Sequence, residues 1–166
     1  DVIMGPPIVV FRESIAKLSD VAEGKSPNKH NLFFMTIEPL EETVLNAIED
    51  GTLPEGRLKK KDKKLDETFV SLGISRDEAQ QYRSVFQGNV FLDKTKGEVH
   101  IGEVIELILD AFENVMKAGP LAREPCYGCK ISLVDMKLHE DAIHRGPAQV
   151  IPAVRNGIKA AMLTAG

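Results

Sequence analysis

Residues 102–117 constrain the fold more than any other part of the chain. Val104, Ile105, Ile108, Leu109, Phe112, Val115 and Met116 recur at helical spacing and make one wide apolar stripe. Such a helix is stable only when a second layer covers the stripe. Glu103, Glu106, Asp110 and Glu113 interrupt the segment, and no apolar run reaches the roughly 18 residues that a membrane span needs. The covering layer is therefore protein. Runs rich in β-branched and aromatic residues at 8–11, 32–37 and 127–138 supply strands for it. The expected class is α+β: a two-layer sandwich with helices packed on one mainly antiparallel sheet.

Punctuation fills in the order. Residues 19–31 carry Gly24, Ser26, Pro27, Asn28 and Asn31, which predicts a loop. Pro39 stops the second strand and presets the first turn of a helix over 41–50, with Gly51 at its end. A basic run, residues 57–64, leads into Leu65, Phe69 and Leu72 at helical spacing, and Gly73 closes that helix. Ser75 and Glu78 have the form of a capping box and predict a helix to about Phe86. Residues 88–93 and 98–101 read as a hairpin around 94–97. Gly119 and Pro120 end the striped helix. A loop at 139–147 precedes a last helix over 148–164, where Pro152 is tolerated only close to the first turn.

Composition excludes several classes. With 166 residues, 43% hydrophobic, the chain is long enough for one folded domain with a real core. Its net charge of −4 argues against a generally basic nucleic-acid binder, so any such contact must be local. Asp1 in place of an initiator Met suggests a fragment, and no signal peptide opens it. Two cysteines without a secretory signal imply free thiols in a reducing compartment. Cys126 and Cys129 form a C-x-x-C pair, but they enter a predicted strand and should take opposite faces as packing groups. A thiol oxidoreductase is the enzymatic rival. A phosphate-binding loop ending in Gly24 and Lys25 would need Gly at position 19, which is Ser. Asn31 stands where a guanine-reading N-K-x-D motif needs Asp. No nucleotide hydrolysis and no metal site are expected of this chain.

Two polar segments carry something more specific: Gly24-Lys-Ser-Pro-Asn-Lys-His-Asn31, and the stretch from Lys137 through His139, Glu140, Asp141, Ile143, His144, Arg145 and Gly146 to Arg155. Both resemble the fourth domain of the elongation factor 2 family of archaea and eukaryotes. Val9 to Glu13, Glu38-Pro-Leu40 and Gly119 to Pro125 follow in the family's order, so the resemblance covers nearly the whole chain. Pro147-Ala-Gln149 looks archaeal. Leu32 departs from the pattern, which usually has a basic residue there.

The resemblance implies a fold like the second domain of a small-subunit ribosomal protein. Residues 1–7 would then be a remnant of a preceding domain or linker, and 8–166 the translocation tip. It implies that His144 is the diphthamide acceptor. It also implies that Lys25, Pro27, Asn28, Lys29, His30, His139, Asp141, Ile143 and Arg145 form an RNA-contacting tip. The implied partners are the ribosome at its small-subunit decoding site, tRNA and mRNA, and transiently the enzymes of diphthamide synthesis. No cofactor belongs to this chain; GTP belongs to the G domain of a parent. The expected state is a cytoplasmic monomer. The rival of another class is a free-standing RNA-binding or ribosome-associated protein of the same fold.

The residues suit that role. If the strand after 25–30 and the strand before 139–146 share a sheet with both loops at one end, they must be antiparallel. The loops then bring Lys25, Lys29, Arg145 and three histidines against Glu140 and Asp141. Cations attract phosphates without reading sequence, and Asn28 and Gln149 can bond ribose hydroxyls or base edges. The expected arrangement holds His144 out in solvent.

Overall fold

The computed structural model describes residues 14–96, 101–119 and 124–165. The expected strand at 8–11, and residues 98–100 of the expected hairpin, lie outside these. Among the described residues six strands form one sheet: β1 (Ala22–Lys25), β2 (Leu32–Pro39), β3 (Gly56–Arg57), β4 (Tyr82–Phe86), β5 (Asn89–Asp93) and β6 (Cys129–Lys137). Their order is β1-β2-β6-β5-β4-β3, and only the β5–β6 pair is parallel. Five α-helices among the described residues accompany them: α1 (Glu42–Glu49), α2 (Lys63–Ser71), α3 (Arg76–Ala79), α4 (Ile101–Lys117) and α5 (Pro147–Thr164). The α+β sandwich on a mainly antiparallel sheet is thus present.

Side-chain alternation decides the layers. In β2, Phe33, Met35 and Ile37 are buried, while Leu32, Phe34 and Thr36 are only half-buried on the other face. The buried set joins β6 and Phe91 of β5 against α4 and α5. The α4 stripe contributes Val104, Ile108, Leu109, Phe112, Val115 and Met116, as its spacing requires, with Ile105 half-buried at the margin. Strand β5 is buried on both faces. Phe91 enters the α4–α5 cluster, whereas Val90 and Leu92 enter a second cluster closed by α1, α2 and α3. In that second cluster Phe69 stacks on Tyr82 with ring centroids 4.1 Å apart.

One buried cation ties the second cluster to the sheet. Lys130 of β6 is 3% exposed, and its Nζ lies 2.7 Å from Glu41 at the start of α1 and 3.0 Å from Glu78 of α3. Burial pulls the Lys130 ammonium down, but the hydrogen bonds and charges of Glu41 and Glu78 more than offset this and hold it above the ordinary lysine value. The same two carboxylates, after burial itself, push the Tyr82 phenol up.

The structure corrects several local expectations. Residues 22–25 are strand β1, not loop. Gly24 is there because β1 lies so close to α5 that a Cβ on it would sit 2.0 Å from the carbonyl oxygen of Ala153. Ser75 does cap α3, accepting from the Glu78 amide at 3.2 Å. However, α3 stops at Ala79, because the next apolar side chains, Tyr82 and Val85, are drawn into the sheet as β4. The hairpin is accordingly β4–β5, turned by Gln87 and Gly88, both with positive φ (50° and 84°) as a two-residue loop of this type requires. Ile101 begins α4 instead of ending a strand. Pro39 ends β2, and Glu41, not Pro39, sits at the start of α1. Pro152 lies inside α5, beyond its first turn. Cys126 and Cys129 do not share a strand: Cys126 precedes β6, Gly128 turns the chain between them at φ 71°, and both thiols are buried in the same α4–α5 cluster. Among the described residues no helix is long and apolar enough to cross a membrane.

Candidate functional site

Strands β2 and β6 run antiparallel with Leu32 opposite Lys137. Residues 26–31, which enter β2, and residues 138–146, which leave β6, therefore meet at one end of the sheet. Helix α5 starts at the same end, with Pro147 in its first turn.

The first loop is a hairpin turn between β1 and β2. The Lys29 amide donates to the Ser26 carbonyl at 2.8 Å, and Lys29 takes the left-handed conformation at φ 66°. Inside the turn the Asn28 side-chain oxygen accepts from the Ser26 hydroxyl at 2.5 Å and from the His30 amide at 3.0 Å. The second loop contains a single 3-10 turn, Ala142–His144, capped by Asp141, whose carboxylate accepts from the Ile143 amide at 3.1 Å. His139 Nδ1 accepts from the Asp141 amide at 3.0 Å, which leaves the neutral ring with its proton on Nε2.

The two loops are bonded to each other. Buried Asn31 joins three backbone or side-chain partners: its Nδ2 donates to the His144 carbonyl at 2.7 Å and to Ser26 Oγ at 3.2 Å, and its Oδ1 accepts from the His139 amide at 3.0 Å. Asn28 Nδ2 adds a second bond to the His144 carbonyl at 3.2 Å. Gln149 in the first turn of α5 accepts from the Asn28 amide at 2.8 Å. By sequence, Asn28 and Gln149 were expected to bond ribose hydroxyls or base edges, and Asn31 had no role. Only the meeting of two segments more than a hundred residues apart reveals all three as clamps.

This clamp gathers the histidines. The His30 ring lies 4.8 Å from both His139 and His144, centroid to centroid, and His139 lies 4.4 Å from His144. His30 is exposed; His139 and His144 are half-buried by this mutual contact, so His144 is less open than expected. Lys25, Pro27, Lys29 and Asp141 are exposed around them, and Ile143 stands out at 77% exposure. Among the described residues no group of His, Cys, Asp and Glu is arranged to hold a metal ion.

Arg145 is the exception in the expected set. It is 6% exposed, with Nη1 donating to the carbonyls of His139 at 2.5 Å and Glu140 at 2.7 Å, and Nη2 paired with Glu103 of α4. Its guanidinium braces the second loop from inside, so the exposed positive charge of that set comes from Lys25 and Lys29. Arg57 of the basic run is likewise engaged, fanning onto Glu106 and Asp110, both at 2.5 Å, and Glu113 at 3.1 Å on α4.

A family model for elongation factor G, domain IV matches residues 51–166, which spans β3 to the end of α5 and includes the second loop. The chain belongs to the elongation factor domain IV family. Curated relatives extend the match through β1, β2 and the first loop. Elongation factor 2 of Archaeoglobus fulgidus is 52% identical over 99% of this chain and 22% of its own length. The elongation factor 2 of Nanoarchaeum equitans is 48% identical over the whole chain and 23% of its own. That of Methanopyrus kandleri is 49% identical over 99% of the chain and 13% of its own. This domain IV thus spans less than a quarter of the length of these relatives, and its likeness to the archaeal type of elongation factor 2 is upheld.

Proposed function

We propose that this domain IV is the tip by which a larger, GTP-driven elongation factor enters the small-subunit decoding site and holds tRNA and mRNA together as they move. The observation that carries the reading is the clamp: two polar loops from opposite ends of the chain, joined through Asn31 and the His144 carbonyl on the rigid β2–β6 pair. A probe must keep its shape while pressed against a duplex, and this one is built on strands rather than on free loop.

The chemistry supports a duplex partner read without regard to sequence. Lys25 and Lys29 offer charge to phosphates, each worth about 1 kcal/mol at 4 Å in water and several times that where water is partly excluded. RNA helices present a shallow minor groove and 2′-hydroxyls, so they are recognised by shape. His144 is the proposed diphthamide acceptor. That modification would extend the imidazole by an arm with a fixed positive charge, starting from a ring already steadied by His30 and His139. The partners are the ribosome, tRNA and mRNA, in the cytoplasm. GTP hydrolysis belongs to the parent's G domain.

The test uses the full-length parent. His144→Ala should leave ribosome-stimulated GTP hydrolysis in place and raise frameshifting during translocation. Unchanged reading-frame fidelity would remove the tip role.

A further inference from the structure

A cleft of about 420 Å³ opens between the last turn of α4 and the middle of α5, lined by Lys117, Arg155 and Lys159 with Asn114 at its side. Among the described residues no carboxylate lines it. In this domain of net charge −4, Arg57, Lys130 and Arg145 hold acidic partners, and half-buried Arg83 donates to the backbone carbonyls of Gln80 and Tyr82. Arg155 Nε is shielded from solvent and bonds to nothing among the described residues. A buried donor without an acceptor is costly, and native structures usually supply the missing acceptor from a bound group. Arg155 and Lys159 are four apart on α5, so they share a face and repel each other. Lys117 is differently placed: it ends α4, where a cation meets the negative end of the helix dipole, and it stands 5.8 Å over the Phe86 ring.

We propose that this cleft seats phosphodiester groups of an RNA backbone, as a second contact beside the tip. The proposal rests on the reading of this domain as a ribosomal probe and adds a site to it. Helix α5 leaves the tip at Pro147, so Arg155 and Lys159 lie about 12 and 18 Å along its axis. They are therefore set on the flank of the probe, not at its point. Arg155 supplies a planar fork suited to two phosphate oxygens, and Lys117 and Lys159 supply flanking charge. The cleft is large enough for a phosphate with its neighbouring riboses.

The 166-residue chain can be titrated with a labelled short RNA duplex at several salt concentrations. Arg155→Gln with Lys159→Gln should weaken binding about tenfold at low salt and reduce the salt slope by about 1, the size expected for one lost phosphate contact. Backbone amides at 114–119 should shift with RNA in the unaltered chain and stay still in the double variant. Lys60→Gln with Lys61→Gln, on an exposed basic run, serves as the control and should change binding less than twofold. Arg155→Lys, which keeps the charge and the helix, should retain part of the binding and guards against a folding artefact in the double variant. Equal losses from the two double variants would overturn the site. So would displacement of the RNA by inorganic phosphate, or by a polyglutamate peptide, at equal charge concentration, which would mark the cleft as a seat for free anions or an acidic protein. His144→Ala separates the two readings. RNA binding lost there but kept in the Arg155 and Lys159 variant sinks this inference alone; binding lost in neither sinks the tip as well.

Discussion

Asn31 and Lys130 show how single buried polar groups carry this architecture. Asn31 is fully buried, and its amide satisfies groups from both loops at once. Asn31→Ala leaves the His139 amide and the His144 carbonyl short of partners and should cost about 1–3 kcal/mol in urea unfolding. It should also broaden the His30, His139 and His144 ring resonances as the triangle loosens. His144→Ala removes a half-buried ring whose side chain makes no hydrogen bond among the described residues, and should cost less than about 1 kcal/mol. A larger loss would mean that the ring is structural. Lys130 tests charge. Replacing both Glu41 and Glu78 by Gln strands a buried ammonium and should cost about 3 kcal/mol or more at neutral pH. The pH dependence follows from the raised Lys130 value. The stabilisation is fully present below the unfolded lysine value of about 10.4 and fades as pH rises through the higher folded value. The Lys130 contribution to the native chain's urea midpoint should therefore hold from neutral pH to about 10 and be lost above it.

At the scale of elements, β1 lies tightly on α5. An added Cβ at Gly24 meets the Ala153 backbone carbonyl at 2.0 Å, whereas one at Gly157 meets the flexible end of Met35 at 2.8 Å. Backbone cannot step aside, but a methionine tip can turn. Gly24→Ala should thus destabilise by about 3 kcal/mol, at the upper end of overpacking effects, and Gly157→Ala by about 1. Chemical denaturation of the two variants checks the ranking; equal losses would mean that α5 shifts as a body. The same contact bears on function, because Gly24 immediately precedes the first tip loop and α5 begins beside the second. A displaced β1 should also move Lys25 and Lys29.

Across the whole molecule the two apolar clusters differ in size and in duty. The larger one, under α4 and α5, supports β2 and β6 and hence the tip. The smaller one, closed by α1, α2 and α3, lies on the reverse side of β5 and touches neither loop. Phe69→Ala, which empties the stack on Tyr82, should cost about 3–5 kcal/mol. Hydrogen exchange should show that loss first in α2 and α3, while amides of β2 and β6 keep their protection. Uniform loss of protection would show that the sheet couples both halves into one unit.

Legibility followed the range of the forces involved. The α4 stripe, the strand at 32–37 and the cap at Ser75 depend on neighbours within a few positions, and periodicity and residue type declare them. The meeting of the two polar loops at one end was also readable, since strands entered and left at those loops must pair antiparallel. Segments whose state depends on a distant partner were not. Residues 82–86 become a strand because Tyr82 and Val85 find α1 and α2, and 22–25 become one because Gly24 admits α5. Arg145 carries the same charge in either setting, and only the arrival of Glu103 and of two backbone carbonyls turns it inward. Sequence by itself determined the class of the fold and the chemistry offered at its end. The tertiary structure decided which of those polar groups face outward and which hold the end together, because a hydrogen bond across a hundred residues exists only once the chain has closed.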